Sequence, residues 1–135
     1  YLGMQDQWYT FNMFDAQAWY ARDIILEKIV LPSFDKMKAH TSEWHKRETA
    51  QDDVAYAIDF QGAYTQMLID ETDYPNFDIE GVNRTFKDWK HNKKDGIMTF
   101  RDKSHASLMT GTQSPPHHTP WLEALDDSLE SYLDI

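Results

Sequence analysis

The chain has no cysteine. Disulfides, thiolate nucleophiles and cysteine-type zinc sites are therefore excluded, and the absence fits the cytoplasm. Positive charge is scarce: 13 Lys and Arg stand against 23 Asp and Glu, a net of −10. Phosphate backbones and anionic lipid both attract basic surfaces, so nucleic acid and a membrane surface are disfavoured as partners. No apolar run reaches the roughly 18 residues needed to cross a bilayer. There is no signal-peptide pattern, and the first residue is Tyr rather than Met, so Tyr1 is not taken as the native start. Glycine is sparse, with five residues. Neither a G-x-G-x-x-G fingerprint, a Walker loop nor a G-x-S-x-G elbow occurs, so the chain by itself carries no complete catalytic machine.

What is present suits one domain. The chain has 135 residues, 41% hydrophobic, with five Trp, seven Tyr and seven Phe. Large aromatics at this density pack cores or stack on ligands. The opening stretch organises the rest. Tyr1-Leu2 reads as the end of a buried strand, Gly3 permits a turn, Gln5-Asp6-Gln7-Trp8-Tyr9 follow, and a helix begins. A strand, glycine turn and helix start present free backbone N–H groups to an electron-rich partner. An ordinary βα turn has the same pattern.

A first helix is expected from Asn12 to about Ile29, apolar on most sides (Phe14, Trp19, Ile24, Ile25, Leu26) and ended by Pro32. Ser33 is placed to cap a second helix running to Thr49, with the stripe Phe34, Met37, Trp44 and an otherwise charged, surface character. A third helix, Asp52 to Asp70, carries Val54, Ala57, Ile58, Tyr64, Met67 and Leu68 at helical spacing. Gly62 inside it costs about 1 kcal/mol against Ala unless something packs close there. Asp78 caps a fourth helix with the stripe Ile79, Val82, Phe86, Trp89, a basic end and Gly96 as its close. Met98–Arg101 reads as a short extended piece, and residues 104–119 as an irregular connection. Thr119-Pro120 opens a closing helix with the seam Leu122, Leu125, Leu129, Leu133.

Few constellations suggest chemistry. His117-His118, His91 and His105 lack a recognisable metal-ligand spacing, and no metal site is assigned. The acidic pairs look like a solvated face. Trp8, beside a polar helix start, has the character of a ligand-stacking residue, whereas the stripe Val82, Phe86, Trp89 places Trp89 in a core.

Residues 3–23 (GMQDQWYTFNMFDAQAWYARD) and 88–102 (DWKHNKKDGIMTFRD) resemble the C-terminal part of bacterial flavin-containing monooxygenases, in the trimethylamine monooxygenase branch. Leu108–Thr112 (LMTGT) and 117–130 (HHTPWLEALDDSLE) match as well, and residues 35–60 are the loosest part. The resemblance implies a chain that is mainly α, forming the C-terminal part of a two-domain Rossmann-type α/β enzyme that binds FAD and NADPH. Residues 1–30 would end the FAD-binding domain, and 31–135 would be a helical and irregular extension packed on it. The reaction implied is oxygenation of a small tertiary amine such as trimethylamine to its N-oxide. It uses O2 and proceeds through a C4a-hydroperoxyflavin protected by NADP+. The cofactor carries that chemistry.

Carried over residue by residue, Gln7 would contact the flavin, with Gln5 and Asp6 in the same pocket. Trp8 would line the substrate and nicotinamide side. Trp89 matches a family tryptophan near flavin and nicotinamide, and Arg101 would reach a cofactor phosphate. Trp8 and Trp89 are thus the catalytic candidates. The dinucleotide fingerprints are missing from these residues, so the resemblance implies a fragment, inactive alone, partnered by the N-terminal part of a cytoplasmic homodimeric enzyme. The competing expectation from composition is an acidic helical interaction module without chemistry. A fragment should leave Leu2, Trp19 and Ile24 without partners, while a self-sufficient module should cover them.

Overall fold

The computed structural model describes Gly3 and residues 8–100, 104–108 and 110–113. These form a mainly α structure of four helices: α1 (Thr10–Ile25), α2 (Phe34–Thr49), α3 (Val54–Asp70) and α4 (Ile79–Asp95). Among the described residues the only β pairing is an isolated antiparallel bridge, Ala106 with Gln113. The expected closing helix and Tyr1-Leu2 lie outside the described residues. The chain divides into two compact units, Tyr1–Lys87 and Asp88–Ile135.

Local chemistry accounts for most helix boundaries. At α3, the Asp53 carboxylate accepts the Tyr56 N–H at 2.7 Å, satisfying one of the amides the first turn leaves open. At α4, Asp78 does the same for the Gly81 N–H at 2.8 Å. Lys93 and Lys94 lie in the last turn of α4, where the helix dipole favours cations. The Gly96 N–H then returns to the Asn92 carbonyl at 2.9 Å. Ser33 does occupy the N-cap of α2, but its side chain makes no capping bond.

Two expectations fail at α1 and one beyond α4. Helix α1 stops at Ile25, not Ile29, and Pro32 does not end it. Instead Glu27 adopts a left-handed conformation, φ +58°. The Glu27 N–H then bonds to Ile24 O at 3.1 Å and the Lys28 N–H to Asp23 O at 2.8 Å. That is the Schellman arrangement, which glycine usually supplies. The buried residues of α1 are also not its most apolar ones: Met13, Ala16, Gln17 and Asp23. Arg22 and Lys28 flank the Asp23 carboxylate at 2.7 and 3.4 Å, which makes its burial tolerable and holds its pKa below the usual range. Residues 97–100 form turns, with the Thr99 and Phe100 N–H groups on Gly96 O at 3.0 and 2.9 Å, and not an extended piece.

The core of the first unit gathers Tyr9, Met13, Ile69 and Ile79, with Trp8, Phe14, Tyr64, Phe77 and Phe86 packed against it. Helix α3 contributes Ile58, Gln61, Gly62, Thr65, Leu68 and Ile69 at three- and four-residue spacing. Helix α2 buries none of its residues, as its charged sequence predicted. Gly62 does have a close neighbour: a β-carbon there would lie 2.7 Å from Asn83 Oδ1.

Trp19 corrects the expectation of an unpartnered face. Its indole N–H donates to Asp73, its ring meets Tyr74 edge-on at 5.4 Å, and Arg22 lies 4.5 Å over it. Arg22 also pairs with Asp73, keeping that carboxyl below its ordinary range. Exposed apolar side chains among the described residues include Phe11, Ile97 and Met98, and a group around the α1–α2 connection: Ile25, Leu26, Val30, Leu31 and Phe34.

Candidate functional site

Gly3 and Trp8 flank the segment singled out by sequence, and buried glutamines hold both. Gly3 has φ +74°, where a side chain would be strained, and a β-carbon would also meet the Phe14 ring at 3.0 Å. Its N–H donates to Gln17 Oε1 at 2.9 Å, and Gln17 Nε2 donates to the Tyr64 hydroxyl at 3.0 Å. The Trp8 N–H donates to Gln61 Oε1 at 2.6 Å. Gln17 and Gln61 are 5% and 6% exposed, so these carboxamides work in a dry interior where an unmade bond costs about 1–3 kcal/mol.

The Trp8 ring is half-buried and meets Phe86 edge-on, centroids 5.9 Å apart. Tyr9 meets the same Phe86 at 5.5 Å, and its hydroxyl reaches Ile79 O at 3.1 Å and Asn83 Oδ1. Asn83 Nδ2 donates to Asp59 at 3.0 Å, and Lys87 closes the series on Asp59 at 2.7 Å. Burial, and then the charges of Asp59 and Asp78, push the Tyr9 phenol well above its ordinary range. Tyr9 is a neutral anchor at working pH, and it fixes the backbone next to Trp8.

A cavity of about 650 Å³ opens in the same unit, lined by Met13, His40, Trp44, Phe60, Gln61 and Tyr64 among others. Trp44 meets Phe60 and Tyr64 edge-on at 5.3 and 5.6 Å and donates its indole N–H to His40 Nε2 at 2.8 Å. Arg47 lies 4.2 Å over the Trp44 ring. Trp44 is thus what fastens an otherwise exposed α2, and Trp8 is not in the cavity lining. Sequence reasoning put Trp44 on the packing stripe but did not see His40 and Gln61 beside it.

In the second unit Trp89 meets the buried Phe100 edge-on at 5.3 Å, with Lys93 Nζ 5.2 Å from the indole ring. Gln5, Asp6, Gln7 and Arg101 lie outside the described residues, as do His117 and His118. Among the described residues no three His, Asp or Glu are grouped to hold a metal, and no helix is long and apolar enough to cross a membrane.

No protein-family model matches the chain. Curated proteins do. The trimethylamine monooxygenase of Roseovarius nubinhibens is 59% identical over 135 residues, a match that covers 98% of this chain and 30% of that protein. The trimethylamine monooxygenase of Methylocella silvestris is 52% identical over 132 residues, covering 98% and 29%. Among solved structures, the crystal structure of Tmm from Pelagibacter sp. strain HTCC7211 superimposes with a TM-score of 0.88 at 47% identity, over 97% of this chain and 30% of that one. The chain therefore spans about 30% of the length of the relatives it matches. Along essentially its whole length it is homologous to the C-terminal portion of the trimethylamine monooxygenases.

Proposed function

We propose that this chain is part of a flavin-dependent monooxygenase that converts small tertiary amines, trimethylamine among them, to N-oxides using FAD, NADPH and O2. The observation that carries the reading is identity of 59% to a trimethylamine monooxygenase over 135 residues. Homology that extends over 98% of the chain leaves no independent segment in which a separate interaction module would reside.

The described residues fit one wall of a flat-ring pocket and no more. A half-buried indole at Trp8, whose backbone N–H is held by Gln61, suits contact with a planar ligand. No glycine-rich phosphate loop accompanies them in the sequence. The remaining walls belong to the rest of the enzyme. When bound, FAD supplies the redox and oxygen chemistry.

In this reading residues 1–30 close the FAD-binding domain and residues 31–135 form an extension packed on it. Gln5, Asp6 and Gln7 lie along the flavin, with Gln7 in direct contact. Trp8 lines the substrate and nicotinamide side and excludes water from the reacting amine. Trp89 lies near flavin and nicotinamide, and Arg101 reaches a cofactor phosphate. The working enzyme is a cytoplasmic homodimer, and this chain alone is inactive.

The test is to follow NADPH oxidation by the intact, FAD-loaded protein with and without trimethylamine, and to assay the N-oxide. Amine-dependent oxidation with stoichiometric N-oxide is expected. FAD-loaded protein that makes no N-oxide overturns the reading.

A further inference from the structure

We infer that Phe86 is a positioning residue for Trp8: its ring fixes the indole that the proposed function places on the substrate side. The inference rests on that reading for its effect on turnover. The contact itself does not, because Trp8 and Phe86 are both described and their rings meet. The Trp8 indole lies edge-on to the Phe86 ring, centroids 5.9 Å apart and planes at 63°. Tyr9 meets the same ring at 5.5 Å and 66°. Consecutive side chains do not usually face one place. Here two of them converge on one phenyl ring.

Phe86 is itself held in place. It lies on α4 between Asn83 and Lys87, and both of these bond to Asp59 of α3, at 3.0 and 2.7 Å. The Tyr9 hydroxyl reaches Ile79 O at 3.1 Å on α4, so the residue next to Trp8 is tied to the same helix. The Trp8 main chain is tied to α3, where Gln61 Oε1 accepts its N–H at 2.6 Å. With the main chain held, two side-chain torsions still aim the indole, and the contact with Phe86 restricts them. Phe86 is half-buried and packs against the core rather than within it, so its exchange for another apolar side chain leaves no sealed cavity and costs the fold little. In this reading Phe86 touches no reacting atom; it acts through Trp8. Small errors in such placement are costly to a reaction that depends on orientation.

The experiment is a double-mutant cycle in the intact FAD-loaded enzyme, read as kcat/KM for trimethylamine with N-oxide as the product assayed. Phe86→Leu removes the ring and keeps an apolar side chain. An edge-to-face aromatic contact is worth about two- to tenfold, so Phe86→Leu is expected to lower kcat/KM about threefold or more. The same substitution in a Trp8→Ala background should change kcat/KM less than about twofold, because the side chain it acts through is gone. A purely structural role would lower the amount of folded enzyme and act alike in both backgrounds. Phe86→Tyr keeps the ring and should restore turnover toward wild type. A drop below threefold in the wild-type background overturns the inference. So does a drop of twofold or more in the Trp8→Ala background, or a Tyr variant no better than the Leu one.

If Phe86→Leu does not load FAD, Phe86→Met, a flexible apolar replacement, is read by the same criteria. Failure of both to load FAD overturns the inference, since Phe86 then serves the fold rather than Trp8. If wild-type enzyme makes no N-oxide, or Trp8→Ala turns over as wild type does, the functional reading has failed and the ring contact is judged alone. Intact protein labelled with fluorotryptophan gives a Trp8 fluorine resonance, identified by its absence from Trp8→Ala. Phe86→Leu should move that resonance further than that of any other tryptophan in this chain. A Trp8 resonance that stays in place, or moves less than another, overturns the contact.

Discussion

Gly62→Ala should destabilise α3, although alanine is the better helix former, and should stabilise it once Asn83 is gone. In an open helix the exchange gains about 1 kcal/mol. Here the new β-carbon would stand 2.7 Å from Asn83 Oδ1 and 2.8 Å from Nδ2. Asn83 must move, and moving it breaks its bonds to the Tyr9 hydroxyl and to Asp59. A neutral hydrogen bond contributes about 0.5–1.5 kcal/mol. The bond to Asp59, whose side chain is half exposed, is screened and sits at the low end of that range. The two losses together come to about 2 kcal/mol, so Gly62→Ala should cost a net ~1 kcal/mol. In an Asn83→Ala background the obstacle is absent and the same substitution should gain up to ~1 kcal/mol. Native-state hydrogen exchange of the α3 amides in the intact protein reads this locally, without assuming two-state unfolding of a multidomain enzyme. Protection should fall about fivefold in the single mutant and rise by a similar factor in the Asn83→Ala background. The same sign in both backgrounds refutes the reasoning.

Three further outcomes follow from the same contacts. Glu27→Gly relieves a left-handed residue in the Schellman turn and should stabilise by about 1 kcal/mol, read by exchange at the Lys28 amide; no gain means the turn is not strained. Tyr9→Phe should cost about 1–2 kcal/mol by loss of the bonds to Ile79 and Asn83. The Tyr9 pKa is raised, so the folded state keeps a proton that the unfolded chain releases. Its contribution is therefore full below about pH 10 and lost as pH climbs above it, and wild type should lose stability there more steeply than Tyr9→Phe. Titrating the isolated 135-residue chain with FAD should give no tight, stoichiometric change in flavin fluorescence; tight binding would contradict the single-wall reading.

How far the sequence was readable depended on whether a signal was local. Apolar spacing located α3 and α4, and Asp78 announced the start of α4, because a cap needs only its own next three residues; Asp53, read as lying inside α3, is instead its cap. The end of α1 was hidden, since Glu27 fills a position that glycine usually marks. The buried side of α1 was hidden too. Periodicity registers apolarity, whereas Gln17 and Asp23 are buried through partners it cannot register. Trp19 looked like core and is instead a surface anchor for Arg22, Asp73 and Tyr74. Gly62 asked for a close neighbour, but only the fold could name Asn83. At the candidate site the proposed role of Trp8 rests on family resemblance. Its anchor Gln61 lies 53 residues away, and no short motif spans that distance.

The central claim is that Trp8 faces the flavin-side pocket of a larger amine-oxygenating enzyme. Its most direct test is trimethylamine turnover by Trp8→Ala in the intact protein, measured beside FAD content and melting temperature. The account predicts turnover reduced about tenfold or more with normal FAD content and only modest loss of stability. Turnover equal to wild type in fully FAD-loaded protein would contradict it.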